Sequence, residues 1–156
     1  TSTKRCYSIY CRVRFILRIM ATLKATLTLN SASVLASPVN VSADFSAAAD
    51  SGILSRAKVV KTAVDANALE VYTANDKTES AYLFLKNLEL EKENYITVYN
   101  DTDSDGHVSK IGGGEFCFIP VAVNKSYRVF GTKVDQMVEF GVFGLDSSAA
   151  GPFNQN

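Results

Sequence analysis

Asp101-Thr102-Asp103-Ser104-Asp105-Gly106 is the stretch whose residue types and spacing come nearest to chemistry. Carboxylates at positions 1, 3 and 5 followed by glycine at 6 match the front of a calcium loop, where hard oxygen ligands converge around a bend. Val108 and Ser109 fit positions 8 and 9. Position 12, which is a bidentate Glu in an EF-hand, is Gly112 here, and the flanks read as strands rather than helices. Asp101, Asp103 and Asp105 are therefore the candidate calcium ligands, with Glu115 within reach from the next strand. Against them stands a plain solvated turn, since Asp, Ser and Gly are ordinary turn residues. The turn is the favoured reading.

The remaining reactive types are isolated. His107 is the only histidine, and one imidazole cannot build the multi-His metal site of cupin-type oxygenases. It reads as an exposed turn residue beside the acidic run. Gly112-Gly113-Gly114 lacks the Gly-Lys-Ser/Thr ending and following helix of a phosphate loop, so it reads as a hairpin turn. Cys117, inside Glu-Phe-Cys-Phe-Ile-Pro-Val, has the apolar neighbours of a buried, inert thiol. Glu89, Glu91 and Glu93 read as a solvated loop edge. With no Trp to stack on a sugar, a glycosidase pair is disfavoured. No catalytic residue is assigned, and the chain is expected not to be an enzyme.

The elements that carry these residues alternate with a period of two. Ala25, Leu27 and Leu29 alternate with threonines, and Val39, Val41 and Ala43 lead to Phe45. Further strand-like runs are 56–64, 69–73, 81–85, 95–99, 115–121, 127–130 and 136–143, rich in the Val, Tyr, Phe and Thr that suit a pleated surface. Turns are expected at Ser51-Gly52, Asn75-Asp76, 101–106, Gly112–Gly114 and Asn124-Lys125. Ser46–Leu54 makes at best a weak short helix, and Leu88–Glu93 a loop. The expected fold is all-β, a single antiparallel, jelly-roll-like β-sandwich of about eight or nine short strands. Tyr82–Leu85 and Phe116–Ile119 are apolar on both faces, which calls for a second layer, a neighbouring subunit or a covering loop.

Residues 1–19 differ from the rest. They hold five of the 16 basic residues, no acid, and two of the three cysteines, Cys6 and Cys11. Arg12, Arg14 and Arg18 interrupt the apolar core that a secretory signal needs. The expectation is that Met20 is the biological start and 1–19 an upstream reading frame; a targeting segment or a basic arm for nucleic acid are the other readings. From Met20, eleven basic residues face 16 acidic ones, a net charge of −5, which favours neither nucleic acid nor an anionic membrane as partner. The division expected is leader 1–19, β-sandwich 20–146 and polar tail 147–156. About 137 residues suffice for one domain with its own core.

Four segments, Met20–Val34 (opening Met-Ala-Thr-Leu-Lys), Ser80–Asp101, Gly112–Val121 and Met137–Gly144, carry a resemblance. Together they resemble small virion structural proteins of marine cyanophage- and pelagiphage-like tailed phages. The long 89–93 loop and the acidic 101–106 turn depart from that pattern. The resemblance implies a non-enzymatic capsid decoration protein or an accessory head–tail component, located in the virion. Its partners would be copies of itself and other virion proteins, such as the major capsid or a tail protein. Contact residues would be aromatics not needed inside: Tyr95, Tyr99, Tyr127 and Phe153. The alternative class is a calcium-assisted carbohydrate-binding or adhesion module on the same sandwich. Apart from calcium, no cofactor is expected.

Overall fold

The computed structural model describes residues 21–32, 38–49, 51–61, 68–74, 78–100 and 106–146. Ten strands lie among them: β1 (Ala21–Ser31), β2 (Val39–Ala49), β3 (Ser51–Val59), β4 (Leu69–Tyr72), β5 (Thr78–Asn87), β6 (Ile96–Asn100), β7 (His107–Ile111), β8 (Phe116–Val121), β9 (Tyr127–Gly131) and β10 (Gln136–Asp146). Every pairing among them is antiparallel. Strands β3-β10-β5-β8 form one four-stranded sheet and β4-β9-β6-β7 the other, while β1 and β2 form a separate ribbon.

That strand order is a jelly roll. The β3–β4 segment pairs with β10–β9 and the β5–β6 segment with β8–β7, so each folded-back pair contributes a strand to both sheets. The expected all-β sandwich is therefore the fold.

Alternation decides which side chains fill it. On β5, Ala81, Leu83, Leu85 and Asn87 point inward and are buried, while Tyr82, Phe84 and Lys86 face out and are partly exposed. Leu83, Leu85, Val138 and Val142 of the first sheet meet Ile96, Val98, Ile111 and Val129 of the second in one core. Fully burying an aliphatic side chain of this size contributes about 1.5–3 kcal/mol.

Two local expectations are corrected. Residues 46–49 and 51–54 are extended, not helical, and the Ser-Gly is not a turn: 46–49 complete β2 and 51–54 open β3. A nine-residue helix containing Ser, Asp and Gly cannot recover its nucleation cost, whereas β1 and β10 offer ladder partners along this stretch. Gly52 also lets the Phe143 ring lie across the strand, since a Cβ there would stand 2.5 Å from Phe143 Cδ1. The second correction concerns His107, which opens β7 and so belongs to an edge strand rather than a turn. It is exposed, as expected, with its ring 6.3 Å from that of Phe130.

The expected turns at Gly112–Gly114 and Asn124-Lys125 are present, and 88–95 is a loop. Its acids are not simply solvated. Glu89 accepts a 2.8 Å hydrogen bond from the Lys133 ammonium, and Glu91 accepts one of 2.7 Å from Asn94.

Candidate interaction surface

The outer face of the β3-β10-β5-β8 sheet is where the two-faced strands of the sequence lead. Cross-strand registers align Gly52, Phe143, Tyr82 and Pro120 in one row, and Leu54, Gly141, Phe84 and Phe118 in the next. A third row is polar except at its end: Arg56, Glu139, Lys86, Phe116. Arg56 donates to Glu139 at 2.8 Å. Tyr82 and Phe118 stack with ring centroids 5.8 Å apart, and Phe84 and Phe116 lie at 6.3 Å. Leu54 and Phe116 remain 65% and 60% exposed, so this aromatic face is only partly covered.

Its cover is the β1–β2 ribbon. Directly opposed residues share a face in an antiparallel pair. The register therefore places Leu23, Ala25, Leu27 and Leu29 with Ala47, Phe45, Ala43 and Val41 on one apolar side. Lys24, Thr26 and Thr28 pair with Ser46, Asp44 and Ser42 on the polar side, where Thr26 donates to Asp44 at 2.9 Å. Phe45 seats on the sheet, its ring 4.8 Å from Tyr82 and 6.0 Å from Phe118. Beyond Phe45 the apolar side overhangs: Leu27, Leu29 and Val41 are each nearly half exposed. The neighbour that the apolar outer face demanded is thus supplied in part by a ribbon of the same chain.

The residues singled out from sequence fall elsewhere. Asp101, Asp103, Asp105 and Phe153 lie outside the described residues. Tyr99 and Tyr127, expected among the aromatics free for contact, are both buried within this chain. Tyr99 packs its ring 5.6 Å from Phe130. Tyr127 stands edge-on to Tyr72 at 6.1 Å, and its hydroxyl accepts a hydrogen bond from the Ala122 N–H. Tyr127 belongs to the core with Val129, whereas Tyr99 alternates with the core residue Val98 and lies on the outer side of its sheet. Tyr95 is half-buried, with the Lys110 ammonium 3.5 Å from its ring centre. With Thr97, His107 and Ser109 they line an open cleft of about 320 Å³. Among the described residues no cluster of three or more His, Cys, Asp or Glu is placed to hold a metal ion. Glu115 is committed to its own turn, its carboxylate accepting from the Gly112 N–H at 2.8 Å.

Cys117 points to the inner face, and burial pushes its thiol up to about 11, with a hydrogen bond to the Leu85 backbone opposing. The folded thiol stays protonated where an unfolded one, titrating near 9, has already ionised. Protons are then retained by the native state alone, so stability falls as pH rises between about 9 and 11. The urea midpoint is expected to drop over that range more in the parent chain than in Cys117→Ser. Equal drops would remove Cys117 as the cause.

Sequence reasoning missed the polar cluster at one end of the sandwich. Asn87 and Gln136 are fully buried. Asn87 Nδ2 donates to the carbonyls of Asn94 (2.7 Å) and Ile111 (3.2 Å), and its Oδ1 accepts from the Glu89 N–H and from Gln136 Nε2, both 3.2 Å. Gln136 Nε2 also donates to Asn94 O at 3.0 Å, while its Oε1 accepts from the N–H of Thr132 and of Lys133. The two amides tie together the β5–β6, β7–β8 and β9–β10 connections, each of which crosses between sheets. Their signal in the sequence is phase: Asn87 continues the inward series Ala81, Leu83, Leu85 with a polar residue.

Comparison with protein-family models, with curated proteins and with solved structures yields no match.

Proposed function

We propose that this protein is a non-enzymatic assembly component acting through subunit contacts, and that it serves as a virion structural protein, either capsid decoration or an accessory head–tail piece. The observation that carries the assembly reading is the amphipathic β1–β2 ribbon, whose apolar side runs past its own sandwich into solvent. A two-stranded ribbon is at best marginally stable on its own and gains from a second surface. The virion assignment draws on the sequence resemblance. The fold is neutral, because jelly rolls serve as capsid proteins, lectins and cupins alike.

Native mass spectrometry of the full chain, with calcium and after chelation, tests the assembly reading. Oligomers indifferent to chelation are expected. A monomer carrying one calcium would move the function to a ligand-binding module centred on Asp101, Asp103 and Asp105. The virion assignment is tested separately by sedimenting assembled particles: the chain is expected in the particle fraction, and its confinement to the soluble fraction overturns that assignment.

A further inference from the structure

We infer that the overhanging part of the ribbon docks on the uncovered outer sheet face of a second copy of this chain, with Leu27, Leu29 and Val41 covering Leu54, Phe84 and Phe116. This rests on the assembly reading above and specifies its contact.

The two surfaces are complementary on one molecule. The ribbon's apolar side already fits this sheet face, because Phe45 seats on Tyr82 and Phe118 of its own chain. The seat continues without a polar break into Phe84, the cross-strand partner of Phe118, and on to Leu54 in the same row. Phe116 joins it through its ring contact with Phe84. Leu54 and Phe116 lie uncovered, and so do Leu27, Leu29 and Val41. A second copy presents the uncovered half of the face on which Phe45 of this same ribbon seats, so it is the occupant the chemistry selects.

The area sets the strength. Six residue pairs lie beyond Phe45, and two strands wide they cover roughly 20 by 10 Å. Counted on both partners and for a reciprocal pair, this buries on the order of 800 Å², below the range of tight specific interfaces. The complex is therefore expected to dissociate on dilution and to gain strength when many copies share one particle. Two different patches meet, so the contact either closes into a pair by mutual exchange or propagates around a ring.

The test uses two variants of the full chain. Leu27→Asp with Leu29→Asp spoils the ribbon, and Leu54→Lys with Phe116→Lys spoils the sheet face; all four positions are exposed. Each variant is expected to associate at least tenfold more weakly than the parent by native mass spectrometry across a dilution series, with an unchanged circular dichroism spectrum. An equimolar mixture is expected to regain hetero-complexes, because the intact ribbon of one variant meets the intact face of the other. Oligomers that persist in either variant, or that fail to return on mixing, overturn this contact and leave self-assembly standing. A parent chain that is monomeric at every concentration overturns both.

Discussion

Asn87→Leu is expected to lower the unfolding free energy by about 3–4 kcal/mol, a large share of the roughly 5–15 kcal/mol that holds a domain of this size together. The leucine is similar in volume, so the loss is not one of packing. It removes both donors to the Asn94 and Ile111 carbonyls and the acceptor used by the Glu89 N–H and Gln136 Nε2. Each buried group left without a partner costs about 1–3 kcal/mol, and water regains access only where the loops part. Since three inter-sheet crossings meet at this residue, the 88–95 loop should also lose amide-exchange protection. A double cycle with Gln136→Leu sharpens the test. The pair is expected to cost less than the sum of the singles, because Gln136 Nε2 and Asn87 Oδ1 then leave together. Strict additivity by urea denaturation would show that the two amides act independently.

Gly113→Ala is expected to cost about 2–3 kcal/mol, for a different reason. A Cβ on Gly113 would sit 2.3 Å from the Glu91 carbonyl oxygen and 2.7 Å from its carbon, with the Glu89 carbonyl 3.0 Å away. Those are backbone atoms of a loop already clamped by Asn87, so nothing flexible can yield. The neighbouring Gly114 is the control. It has φ +77° and open space around it, so an alanine there meets only the left-handed backbone penalty of roughly 1–2 kcal/mol. Chemical denaturation of the two variants should rank Gly113→Ala as the more damaging. The reverse order would mean that backbone conformation, not close approach, sets the limit at this turn.

Most of the sandwich was legible because strand periodicity is a local property. Tyr82–Leu85 and Phe116–Ile119 announced their double apolar faces, and those faces proved to be the sheet that the ribbon covers. β7 escaped notice. His-Val-Ser-Lys-Ile carries only two apolar residues, and its extended form depends on pairing with β6 at a sheet edge. The burial of the tyrosines was hidden for a related reason: an aromatic at a strand end shows the same local pattern whether it joins the core, as Tyr127 does, is covered on the outer side of the sheet, as Tyr99 is, or stays exposed. No local signal separates the three.

By itself, then, the sequence determined an all-β chain and the approximate positions of its strands other than β7, because alternation is written residue by residue. Tertiary structure alone decided the jelly-roll order, the meeting of Asn87 with Gln136 across 49 positions, and the seating of Phe45 on Tyr82 and Phe118. These are contacts between segments far apart in the chain, and the shape of the space between two sheets selects them rather than any neighbour in sequence.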